Sequence, residues 1–193
     1  MISLNDYGQL TEVEEATETI AQSEYGLHCL LIYHDLDTLR EFYSNYIQKQ
    51  INDNELIQIM PFYETENSVR DTLFKNRGFN LDIVKKDEKS LIVIDSLRGY
   101  PDHDTAESIW KNIEERVKYA EKHGKKGLSN LGDMGAFLFE NKVQLLLEYE
   151  CYLPLKFNIN LKGICMYHQK DFGRISEDFQ QKIMDRHAMV IKI

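Results

Sequence analysis

LLLEYECYLPLKFNINLKGICMYHQKDF, Leu145 to Phe172, divides into a helix, a short turn and a buried strand. The strand, Gly163-Ile164-Cys165-Met166-Tyr167, is a continuous apolar run with a polar exit at His168. A run of that kind fits a strand covered on both faces, as in a parallel sheet. Polar groups just past its carboxyl end fall where open α/β sheets place ligands.

The same alternation extends in both directions. Gln9 to Ser23 has Leu10, Val13, Ala16, Thr17, Ile20 and Ala21 close to helical spacing, with Glu on the other face. His28 to Tyr33 (HCLLIY) is the first buried strand. Asp35 or Asp37 then caps a helix from Thr38 to Lys49, whose stripe is Leu39, Phe42, Tyr43, Tyr46 and Ile47. Glu55 to Met60 is a second strand, and Thr65 to Asn76 a helix. A charged connection with a short strand at Leu81–Val84 leads to Leu91–Asp95 (LIVID), which has the clearest strand pattern. Asp104-Thr105 opens a helix that runs to His123. Gly127 to Asp133 is a weak strand, and Ala136 to Phe157 is helical with Pro154 kinking or ending it. A helix from Ser176 to Arg186 and a last strand, Ala188 to Ile193, complete the chain. The expected fold class is α/β: three layers, a mostly parallel sheet with helices on both faces. Residues 1–26 are expected to pack on a single domain formed by residues 27–193.

Composition narrows the function. The 193 residues are 42% apolar and 28% charged, as in an ordinary globular domain. A formal net charge of −9 disfavours nucleic acid and anionic membranes as direct partners. No apolar run approaches the ~20 residues that span a bilayer, and the acidic N-terminus lacks a signal-peptide layout. Cys29, Cys151 and Cys165 form no paired framework, so a reducing cytoplasm is the expected compartment.

The motifs exclude more than they assign. A nucleotide-binding reading needs a glycine-rich phosphate loop ending in Lys after the first strand. The turn here is His34-Asp35-Leu36-Asp37-Thr38, with two carboxylates that would repel a triphosphate. Asp95 reads as a strand-end cap, and no Gly-x-Ser-x-Gly elbow occurs. The six histidines are scattered without a His-x₃-His or Cys-x₂-Cys pair, so neither a metal site nor a cofactor is expected. The cysteines read as small buried hydrophobes. Glu148 and Glu150 point in different directions from one helix and do not form a pair. Aromatic residues gather at strand ends and in loops: Tyr33, Phe62, Tyr63, Tyr100, Tyr149, Tyr152, Tyr167 and Phe172. They fit an apolar pocket with polar handles, or an ordinary core.

Several short stretches together resemble the MEDS sensory domain: HCLLIY with its acidic turn, the Glu55–Met60 strand, Gly132-Asp133-Met134-Gly135, Leu147-Glu148-Tyr149-Glu150, Ile164-Cys165-Met166-Tyr167 and Asp185-Arg186-His187-Ala188-Met189-Val190. The resemblance runs from about His28 to Ile193. It implies a RecA/KaiC-like fold without a P-loop, and a sensory role in prokaryotic signal transduction and transcription regulation. It further implies small organic ligands and attachment to repressors or histidine kinases. By position, His28–Tyr33 stands for the P-loop strand and Asp133 for the Walker-B acid. Asp133-Met134 replaces the usual Glu-Met of that motif.

The leading expectation is a non-catalytic domain with Tyr33, His34, Asp133, Tyr149, Tyr167 and His168 around a small organic ligand. His28, at the other end of its strand, is expected to be structural; Tyr149 is one candidate hydrogen-bond partner for it, and a ligand shared by the two is the alternative. Expected partners are a separate regulator or kinase and a second copy of the chain. The alternatives are a ligand-free interaction and self-assembly module, and a residual enzyme using Asp133 or Glu150 as base.

Overall fold

The computed structural model describes residues 10–77, 90–100 and 105–193. Six strands form one sheet in which every pair is parallel: β1 (His28–Tyr33), β2 (Leu56–Met60), β3 (Leu91–Val93), β4 (Leu128–Asp133), β5 (Leu161–His168) and β6 (Met189–Lys192). Their order is β3-β2-β4-β5-β1-β6. β1 is buried along its whole length because it lies between β5 and β6 with helices on both faces.

Side chains alternate across a strand, and this divides the core in two. Leu30, Ile32, Cys165 and Tyr167 face one layer of helices: α5 (Ala106–Lys122), α7 (Val143–Tyr152) and α9 (Glu177–Asp185). Cys29, Leu31, Tyr33, Ile164 and Met166 face the other: α1 (Val13–Ala21), α2 (Leu36–Asn52) and α3 (Glu66–Arg77). Short helices α4 (Ser96–Gly99), α6 (Gly135–Phe139) and α8 (Gln169–Phe172) follow β3, β4 and β5. Asp35 caps α2, its Oδ1 accepting the Thr38 N–H at 2.9 Å, so the helix begins earlier than its stripe implies. Near the amino ends of the strands, Lys162 and Glu55 form a buried ion pair at 3.0 Å. Ser129 and the Ala21 carbonyl complete that network.

Three expectations about elements are corrected. The single helix expected over Ala136–Phe157 is two helices, α6 and α7. Asn141 between them takes φ +55°, and the Lys142 N–H turns back to the Phe137 carbonyl. The chain then leaves the helix at Leu153, whose extended backbone suits the residue before a proline. The strongest strand pattern, Leu91–Asp95, supplies three paired residues at the sheet edge, while Asp95 caps α4. The weak-looking stretch Gly127–Asp133 contains β4, which runs unbroken through Gly132 as a fully buried strand near the centre of the sheet. The short strand expected at 81–84 lies outside the described residues. Among the described residues, no helix is long and apolar enough to cross a membrane.

Candidate functional site

Two groups of polar side chains occupy opposite faces of the central strands. The first lies at the carboxyl ends. β1–β5 pairing sets Tyr33 beside His168, and β4–β5 pairing sets Asp133 beside Met166. The Tyr33 hydroxyl donates to Asp133 Oδ2 at 2.7 Å, and the Gly135 N–H donates to Oδ1 at 2.9 Å. His168 stands edge-on to the Tyr33 ring and caps α8, its Nδ1 accepting the Lys170 N–H. Tyr63, half-exposed after β2, packs against His168 and donates a short hydrogen bond to Asp171. Arg174 lies 3.7 Å from the same carboxylate. Asp133 has no exposed surface, and burial lifts its carboxyl from 3.8 to about 7. Hydrogen bonds from Gly135 and Tyr33 oppose that rise, and the charge of Asp171 adds to it.

The second group faces the α5–α7–α9 layer. His28 opens β1, Cys165 lies in the middle of β5, Glu150 comes from α7, and His187 follows α9. One donor atom from each lies within 4.8 Å of the other three, and all four residues are buried. The His28 and His187 rings stack at 3.8 Å between centroids. His28 Nδ1–H donates to the Pro154 carbonyl at 3.0 Å, and His187 Nδ1–H to the Ile183 carbonyl at 2.7 Å. Both rings therefore turn a bare Nε2 inward. Cys165 Sγ is 3.7 Å from His28 Nε2. Glu150 Oε1 accepts a short hydrogen bond from Tyr167, while Oε2 lies 3.5 Å from His187 Nε2. That last contact is not an ion pair. Burial and the neighbouring His28 push His187 down to about 3, and burial lifts Glu150 to about 7. Burial likewise pushes His28 down to about 4, against the Pro154 and Arg186 carbonyls.

The sequence profile of the family described as "MEDS: MEthanogen/methylotroph, DcmR Sensory domain" matches residues 27–188. The chain belongs to the MEDS family. Membership gives it a sensory or signalling role. A search of curated proteins gave no match.

The MEDS domain distributes the six expected ligand residues unevenly. Tyr33, Asp133 and His168 come together on the α2 side of the sheet. His34 sits at the same edge, but its ring donates to the Ile193 carbonyl and lies 3.0 Å from Asp35. Tyr167 and Tyr149 are on the opposite face. Tyr167 holds Glu150, and Tyr149 packs on Phe137 and Tyr100. The six therefore do not line one pocket, because alternation sends Tyr167 and His168 to different sides. His28 pairs with the Pro154 carbonyl rather than with Tyr149. Sequence reading named Tyr63 among the strand-end aromatics but not among the ligand residues, and it missed Asp171, three residues past the end of β5. It also missed the grouping of His28, Glu150, Cys165 and His187, which come from four distant segments and share no local spacing.

Proposed function

We propose that this MEDS domain senses a small organic molecule at the carboxyl ends of β1, β4 and β5, without turnover, and signals through a protein partner. The observation that carries the reading is the convergence of two tyrosine–carboxylate pairs, Tyr33–Asp133 and Tyr63–Asp171, around the His168 ring. This edge is where open α/β sheets bind ligands. The carboxylates call for a ligand that donates hydrogen bonds, such as a small alcohol or amine. Tyr63 is the exposed member of the group, so its hydroxyl is the one a ligand displaces from Asp171. On the other face the cavity beside Tyr149 is about 10 Å³, room for about one water and too small for an organic ligand.

The test is a thermal-shift screen with small alcohols, amines and nucleotides. A ligand at a hundredfold excess over Kd adds about 2.7 kcal/mol of stability. The expected response is to a small alcohol or amine, and it disappears in Tyr33→Phe and Asp171→Asn. A chain that responds to nothing and self-associates supports the interaction-module alternative instead. Turnover of a bound compound would overturn the non-catalytic reading.

A further inference from the structure

We infer that His28, Glu150, Cys165 and His187 form a four-ligand site for a divalent transition-metal ion of the zinc type. This goes beyond the proposed small-molecule site and does not depend on it. Two imidazoles, a thiol and a carboxylate are the donor types that zinc takes in closed tetrahedral sites. Ordinary zinc–ligand lengths give tetrahedral edges of about 3.6 Å between nitrogen and sulfur and about 3.4 Å between nitrogen and oxygen. The structure has 3.7 Å for His28 Nε2 to Cys165 Sγ and 3.5 Å for His187 Nε2 to Glu150 Oε2. The widest separation in the set, 4.8 Å at most, closes by about 1 Å around an ion.

The surroundings are those of metal ligands. Each imidazole is oriented by a backbone carbonyl on Nδ1, and the carboxylate by the Tyr167 hydroxyl. Outer partners of this kind fix ligand geometry in metal sites. Among the described residues, Glu150 Oε2 and His187 Nε2 have no hydrogen-bond partner, although both side chains are fully buried. Buried polar atoms without partners are unfavourable, and an ion between them satisfies both. A thiolate and a carboxylate supply two negative charges, so a divalent ion leaves the buried cluster neutral. Binding passes the thiol proton to solvent, together with the carboxyl proton where Glu150 holds one. Within the described residues this is the only grouping of three or more such donors. The ion would staple α7 and the turn after α9 onto β1 and β5.

The experiment uses the full chain, stripped of metal under reducing denaturing conditions and refolded with Zn²⁺, with Co²⁺ or with neither. Native mass spectrometry is expected to show one metal ion per chain, and Zn²⁺ to raise the melting temperature. Co²⁺ is expected to give tetrahedral visible bands and a near-ultraviolet thiolate charge-transfer band. Cys165→Ser loses the charge-transfer band and Cys151→Ser keeps it. Tyr167→Phe, which removes only the outer hydrogen bond, weakens affinity on the order of tenfold or more in chelator competition. Asp133→Asn binds metal as the parent does, which separates this site from the sensing cleft. Absence of bound metal in the refolded parent chain overturns the inference whatever the variants do. So does a charge-transfer band that follows Cys151 or survives loss of Cys165.

Discussion

Asp133→Asn should make the protein more stable above neutral pH and leave it nearly unchanged in acid. Asp133 is fully buried, and the fold raises its carboxyl from 3.8 to about 7, first by burial. The native state therefore holds this proton more tightly than the unfolded chain. Stability falls with rising pH wherever the native state binds more protons. The window opens near pH 4 and closes near pH 7. About three decades of proton affinity, at about 1.4 kcal/mol each, amount to about 4 kcal/mol lost across it. Asparagine keeps the shape and carries no charge. Its Oδ1 still accepts the Gly135 N–H, and its amide donates to the Tyr33 oxygen in place of the bond now running the other way. Urea unfolding from about pH 5 to about pH 8 measures the difference. Trp110, the single tryptophan, stacks on Phe157 in the core and is a natural fluorescence probe. Glu150 is common to both proteins and cancels. Parallel pH profiles for parent and variant would refute the reasoning, as would a variant less stable at every pH.

Three other outcomes are expected. Lys162→Met leaves Glu55 buried without its cation and should destabilise by about 3–5 kcal/mol in urea unfolding. If that loss is under about 1 kcal/mol, the pair does not need its partner in the way argued. A Cβ on Gly132 would come within 1.9 Å of the Tyr100 hydroxyl, so Gly132→Ala should destabilise by about 1–3 kcal/mol. That hydroxyl has no hydrogen-bond partner among the described residues, so Tyr100→Phe should be neutral or stabilising and should rescue Gly132→Ala. A double mutant with purely additive losses refutes the clash. ATP and GTP should not be hydrolysed, since the Asp35 carboxylate occupies the start of α2, where a phosphate would bind. Turnover that survives repurification and vanishes in Asp133→Asn would contradict this.

What the sequence determined by itself was local. Continuous apolar runs at His28–Tyr33 and Gly163–Tyr167 specify strands buried on both faces, and from these the layered parallel sheet follows. The acidic turn after Tyr33 excludes a phosphate loop, and short signatures in order mark the MEDS family. Spacing on α7 already separated Glu148, which is exposed, from Glu150, which is buried. Apolar pattern reports burial, however, and not pairing, so LIVID became a short edge strand while the plainer GLSNLGD took a central place. Only the tertiary structure decided which residues meet. Tyr33 reaches Asp133 across 100 residues, and His28 reaches Cys165 across 137, through a strand order that does not follow the chain. No periodicity records such pairings. They depend on strand register and on which face each side chain takes, and both are set when β1 inserts beside β5.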